Sequence, residues 1–96
     1  MAEAEVEVRN PSGLHARPAA TFVRAAAGLG VDVLITNLSR DPDKAVSARS
    51  VLGVMALGVA RGHRIRLAAG GPGADAAVTA LIDLVSAGLG EEVEGV

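Results

Sequence analysis

The chain has 96 residues, half of them hydrophobic, and 9 Lys and Arg against 11 Asp and Glu give a formal net charge of −2. That length predicts one domain over residues 1–96 with a modest core, and that charge excludes a partner held mainly by phosphate-backbone contacts, such as DNA. The single aromatic, Phe22, is too little for a single-strand nucleic-acid platform, and zero Cys excludes a disulfide framework, a thiolate zinc site and a catalytic Cys.

The opening MAEAEVEV is acidic where a secretory signal is basic and apolar. The longest uncharged apolar run, Val51 to Ala60, is broken by Gly53 and Gly58 and falls well short of the ~20 residues that span a bilayer. A soluble, cytoplasmic, monomeric protein with no membrane insertion is expected.

Ala4, Val6 and Val8 alternate with Glu5 and Glu7, the pattern of a half-buried strand. Asn10, Pro11, Ser12 and Gly13 form a turn cluster. From Ala16 to Ala27 the period becomes helical. Ala19, Ala20, Phe22, Val23, Ala26 and Ala27 make an apolar stripe, with Arg17, Thr21 and Arg24 opposite. Pro18 sits in the first turn, where a missing N–H breaks no helical bond. Gly28 and Gly30 end the helix.

Val31, Val33 and Ile35 alternate with Asp32, Leu34 and Thr36, giving a second strand. Asn37 to Lys44 is a polar hairpin loop, and a short third strand runs from about Ala45 to Ala48. Ser50 to Leu57 is a short helix with Ser50 near its N-cap. Arg64 and Arg66 alternate with Ile65 and Leu67 in a fourth strand. Ala74, Ala77, Val78, Leu81, Leu84 and Val85 mark a last helical stripe, with Gly88 as its C-cap. The residues after it, with Glu91, Glu92 and Glu94, are expected to fray.

The order β-α-β-β-α-β-α describes a two-layer α+β fold. Glu5 and Glu7 on the first strand and Arg64 and Arg66 on the fourth would attract across a shared edge, so these strands are inferred to be neighbours. The alternative is two solvated faces whose charges never meet.

Paired catalytic carboxylates are not evident, and two His without an HExxH spacing give no metal site. Gly70-Gly71-Pro72-Gly73 lacks a following Lys-Ser or Lys-Thr, so it is a turn before a helix and not a P-loop. His15 is different. It lies where the turn meets the first helix, whose N-terminus presents free N–H groups and about half a positive charge. Such a terminus suits a phosphate, and Arg17 adds a guanidinium two residues on. A neutral imidazole is a competent nucleophile without a partner base. A phosphoryl group on His15 would be held by the amides of Ala16 and Arg17 and by the Arg17 side chain. The competing reading of a His beside a helix start is a cap or a plain exposed side chain.

The string Gly13-Leu14-His15-Ala16-Arg17-Pro18-Ala19-Ala20 resembles the phosphorylation-site motif of the HPr family, the histidine-containing phosphocarriers of the bacterial phosphoenolpyruvate-dependent phosphotransferase system. Ala48-Arg49-Ser50-Val51-Leu52-Gly53-Val54-Met55-Ala56-Leu57-Gly58 is similar to the segment around that family's regulatory serine. The resemblance covers about residues 4–88. It implies an open-faced β-sandwich, with a four-stranded antiparallel sheet of order 1-4-2-3 and three helices on one face. The ordered core would span about residues 4–88, before an acidic tail over 89–96.

The resemblance further implies that His15 takes phosphate from phosphorylated enzyme I, at Nδ1. His15 would then pass it to a sugar-specific component of the phosphotransferase system. The protein would be a carrier with a covalent phosphohistidine and no cofactor, not an enzyme. Arg17 would be the electrostatic partner of His15, Ser50 the target of a serine kinase, and Val51, Leu52 and Met55 an exposed docking patch. Val51, Leu52, Val54, Met55 and Leu57 are in any case too many for one buried stripe of so short a helix, so some must be exposed.

The chain departs from the family in a longer Asn37–Lys44 loop and in Ala56, where a hydroxyl residue is common. Ala45 to Ser50 and Arg61-Gly62-His63 also resemble the HPr-like part of the dihydroxyacetone-kinase phosphotransferase component, which leaves a dihydroxyacetone or nitrogen-signalling branch open as the alternative. A regulatory module docking through the Ser50 helix is the alternative of another class.

Overall fold

The computed structural model describes residues 1–91. Its elements run β1 (Ala2–Glu7), α1 (Ala16–Ala27), β2 (Leu34–Asn37), β3 (Ala45–Ser47), α2 (Val51–Ala56), β4 (Arg64–Ala69) and α3 (Ala74–Ser86). The strands form one antiparallel sheet in the order β1-β4-β2-β3, the expected topology.

The two-residue period of a strand sorts the sheet into rows. Ala4, Leu67, Ile35 and Val46 face one another across all four strands, on the side that packs against the core. The next row, Glu5, Arg66, Thr36 and Ala45, belongs to the other face. Glu5 pairs in register with Arg66, and Arg64 Nε donates to Glu5 Oε1 at 3.1 Å, so the charges that suggested β1 beside β4 do meet. Both side chains are about half exposed, and such a pair contributes at most about 1 kcal/mol. Its effect is to favour this register over a slipped one.

Three departures from the sequence pattern follow from packing. The buried stripe of α1 is Pro18, Ala19, Phe22, Val23 and Ala26, while Ala27 is exposed and Ala20 half-buried. The stripe centres on the bulk of Phe22, which leaves Ala27 at its edge. The second strand begins at Leu34 and includes Asn37, which is fully buried opposite Ile65 instead of opening the loop. A buried amide is tolerated only when bonded. Asn37 Nδ2 donates to Leu57 O and to His63 Nδ1, both at 3.1 Å, and its Oδ1 accepts from Ser39 N.

The third departure is at the end of α3, whose C-cap is Ala87, one residue before the expected Gly88. Gly88, Leu89 and Gly90 have φ of 96°, 55° and 86°. Three consecutive left-handed residues reverse the chain, bury Leu89 at 2% exposure and bring Glu91 back against the turn at residues 10–12. The expected fraying therefore does not begin at Leu89; Glu92 and Glu94 lie outside the described residues. Among the described residues no helix is long and apolar enough to cross a membrane.

Candidate functional site

The site begins with the local geometry of α1. His15 is its N-cap residue, extended at φ −125° and ψ 156°, and its side chain does not cap the helix. The imidazole is exposed. Pro18 has no N–H, and Ala19 N is already turned to His15 O at 3.5 Å. Ala16 and Arg17 are therefore the residues of the first turn that can offer free amides to an anion beside His15. Arg17 is exposed on the same turn.

Ala16 has φ +50°, an unusual conformation for a residue with a Cβ, costing about 1–2 kcal/mol. The alanine carries no sequence signal for it, as a Gly or Asn would. The cost is met by anchoring two residues away on either side. Leu14 is fully buried, and its N–H donates to Val59 O at 3.0 Å, while Pro18 and Ala19 are packed in the core.

The turn before His15 is built by Asn10, whose fully buried side chain donates from Nδ2 to Gly13 O at 2.9 Å and to Glu91 Oε1 at 2.9 Å. Ser12 adds two more bonds to the same carboxylate, from its N–H at 3.0 Å and from Oγ at 2.8 Å. These bonds, Asn10 first, hold the Glu91 carboxyl below the usual carboxylate range, with the positive charge of Arg17 a smaller contribution. The pattern reading placed Asn10 and Ser12 in a turn and Glu91 in a frayed end, and so missed their contact; the polar turn and the Gly-Leu-Gly before Glu91 were the available signals.

His63, the other histidine, is half-buried and committed elsewhere. Ala60 N donates to its Nδ1 at 3.1 Å, and Asn37 Nδ2 approaches the same nitrogen at 3.1 Å. Two donors on Nδ1 select the tautomer with its proton on Nε2, so neither nitrogen offers a free lone pair.

Ser50 is the N-cap of α2, exposed, and its Oγ accepts from Gly53 N at 3.0 Å. Ser47, three residues earlier, donates to Asp32 Oδ1 and accepts from Arg49 N. Leu52 is 83% exposed and Val51 and Met55 are exposed as well, whereas Val54 and Leu57 are buried. The six-residue helix thus divides its apolar side chains between core and surface. α2 packs against α1, so the exposed apolar residues and His15 belong to adjoining helices. Residues 8–31 and 45–63 contain Arg9, Arg17, Arg24, Arg49 and Arg61 and no Asp or Glu. Among the described residues no cluster of three or more His, Asp or Glu could hold a metal ion.

The chain matches, over residues 2–87, the family described as the PTS HPr component phosphorylation site. It is 47% identical to the phosphocarrier protein HPr of Streptomyces coelicolor over the full length of both chains. It is 44% identical over 88 residues to the multiphosphoryl transfer protein of Escherichia coli O157:H7, covering 92% of this chain and 23% of that protein. The chain thus spans about a quarter of the length of that multiphosphoryl relative. The crystal structure of HPr-C-His from Thermoanaerobacter tengcongensis superposes with a TM-score of 0.87 at 39% identity, covering 97% of this chain and all of that one.

Proposed function

The chain belongs to the HPr phosphocarrier family of the phosphotransferase system, and we propose that it works in the cytoplasm, taking a phosphoryl group from phosphorylated enzyme I onto His15 and handing it to a sugar-specific component. The observation that carries this reading is the exposed His15 imidazole at the N-cap of α1, not used as a cap, beside the free amides of Ala16 and Arg17. In the loading step a ring nitrogen of His15 attacks the phosphorus, and the bond from phosphorus to the donor group of enzyme I breaks as the new one forms. The transferred group keeps its negative oxygens, which the two amides and the Arg17 guanidinium stabilise in the product and in the transition state. Unloading reverses these events toward the acceptor, so the site must hold the group without trapping it. Incubation with enzyme I, phosphoenolpyruvate and Mg²⁺, followed by intact mass measurement, tests the proposal; a chain that gains no phosphate overturns it.

Docking follows from α2. Val51, Leu52 and Met55 form an apolar patch on α2. Residues 8–31 and 45–63, which include α1 and α2, carry five Arg and no Asp or Glu, although Asp32 and Glu91 reach in from outside them. The surplus of positive charge suits a partner with an apolar and acidic surface. Leu52→Glu is expected to weaken binding to enzyme I by about tenfold or more. Its melting temperature should stay within a few degrees, because Leu52 is 83% exposed. Titration calorimetry and thermal unfolding check both halves; an unchanged affinity places the docking face elsewhere.

Ser50 separates two roles of one hydroxyl. Ser50→Ala removes the bond to Gly53 N and should cost about 1 kcal/mol of stability, measured by chemical denaturation. Ser50→Asp keeps a capping oxygen, so stability should hold. It also sets a negative charge, as a serine kinase would, beside the docking patch, and loading of His15 is expected to slow several-fold. Wild-type loading of Ser50→Asp would leave the residue as a cap alone.

A further inference from the structure

We infer that Glu91 is a positioning residue for phosphoryl transfer: its carboxylate fixes the turn at residues 10–13 and, through that turn, the presentation of His15. The inference rests on the carrier reading above and concerns a residue 76 positions away in sequence from the histidine it serves.

The turn has little else on its outer side. Its own backbone closes with one bond, Gly13 N to Asn10 O at 3.2 Å, and its inner side is tied by Leu14 N to Val59 O. The Ser12 amide lies on the outer side and needs an acceptor. Glu91 supplies it, with Oε1 taking both Ser12 N and Asn10 Nδ2 and Oε2 taking Ser12 Oγ. Hydrogen bonds to an ionised acceptor are roughly twice as strong as neutral ones, so one carboxylate replaces solvent around three donors at once.

Asn10 shows what this arrangement costs. Its Nδ2 is directed at Gly13 O and Glu91 Oε1, which fixes the amide orientation, and Oδ1 is left buried without a partner among the described residues. An unsatisfied buried acceptor is unfavourable. The opposite orientation would set oxygen against oxygen at both contacts, so the bond to Glu91 is one of the two that hold the amide this way. The run of left-handed residues Gly88, Leu89 and Gly90 is a second expense, since it includes a leucine at φ +55°. Burial of Leu89 anchors that reversal and delivers Glu91 to the turn.

Glu91 bonds to Asn10 and Ser12, not to the reacting imidazole, and its charge also interacts with Arg17. Removing that negative charge would by itself favour an incoming anion, so slower loading in Glu91→Ala reads the geometry of the turn. A small displacement of the turn would tilt His15 relative to the amides of Ala16 and Arg17 while leaving the α2 surface in place. Single-turnover loading from phosphorylated enzyme I, in the full chain, reads the difference. Glu91→Ala is expected to lower the loading rate at saturating enzyme I by about tenfold, the scale of a modest loss of alignment, with half-saturation within about twofold of wild type. Ser12→Ala should slow loading in the same direction, and the double variant should be no slower than the slower single variant, because both act through one contact. Exchange of the Ser12 amide hydrogen should accelerate in Glu91→Ala. Glu91→Gln, which keeps the size and loses the charge, should fall between wild type and alanine. A folded Glu91→Ala chain that loads at the wild-type rate overturns the inference, whatever its stability. A wild-type chain that takes no phosphate overturns the carrier reading, and this inference with it.

Discussion

His15→Ala is expected to take up no phosphate from phosphorylated enzyme I, whereas His63→Ala should load as fully as wild type, with one acid-labile phosphate per chain. The two histidines differ in what surrounds each ring. The His15 ring is exposed and lies at a helix terminus whose free amides can receive the anion. His63 presents Nδ1 to Ala60 N and Asn37 Nδ2, which leaves its Nε2 protonated and no lone pair free to attack phosphorus. Phosphate on His63 would also break a network that satisfies Asn37 inside the core, leaving one of that buried amide's donors without an acceptor. His63→Ala should therefore lose stability by about 1–3 kcal/mol through the unpaired Asn37 donor while retaining transfer. Intact mass and denaturant titration of both variants check the pair. Equal labelling of His15→Ala and wild type would remove His15 from the carrier role.

The difference between what could and could not be read from the sequence follows interaction range. The alternation of Ala4, Val6 and Val8 with Glu5 and Glu7, and the helical stripe around Phe22, are local periodicities, and the strands and helices they predict are present. The pairing of β1 with β4 was accessible because complementary charges on two strands are a long-range signal written in residue type. Asn37 carried no such signal. By composition it opens a polar loop, and although Ser39 N satisfies its Oδ1 locally, the acceptors for its Nδ2, Leu57 O and His63 Nδ1, lie far along the chain. Glu91 was misread for the same reason, since its partners Asn10 and Ser12 lie at the other end of the sequence. The left-handed Ala16 is held by the buried Leu14 and Pro18, two positions to either side, and not by its own preference. At the site, the histidine, the arginine and the helix start were legible as local motifs. The support beneath them, Asn10, Ser12 and Glu91, depends on tertiary contact.

Gly13→Ala should be among the most damaging single substitutions in the chain, although it adds one methyl group to a turn. Gly13 has φ +60°, so an alanine there pays the left-handed penalty of about 1–2 kcal/mol. Space is the larger obstacle. An added Cβ would lie 2.3 Å from Val59 O and 2.9 Å from Ala60 Cα, and both are backbone atoms that no rotamer change can move aside. Relief requires the turn to separate from residues 59–60, which stretches the bond from Leu14 N to Val59 O and lifts the fully buried Leu14. Forced overlap of this kind adds about 1–3 kcal/mol, for a total near 2–5 kcal/mol. In a domain of this size that lowers the melting temperature by more than about 8 °C. Gly30→Ala isolates the backbone part, because Gly30 has φ +70° and open space around its missing Cβ; it should cost only about 1–2 kcal/mol. Among molecules that remain folded, Gly13→Ala should also load phosphate slowly, since Gly13 is two residues before His15 and its displacement carries the imidazole with it. Denaturant titration of the two glycine variants, followed by single-turnover loading of each, separates the effects. Equal stability losses would mean that Val59 and Ala60 yield to the methyl group, and wild-type loading by Gly13→Ala would mean that His15 keeps its place without this turn.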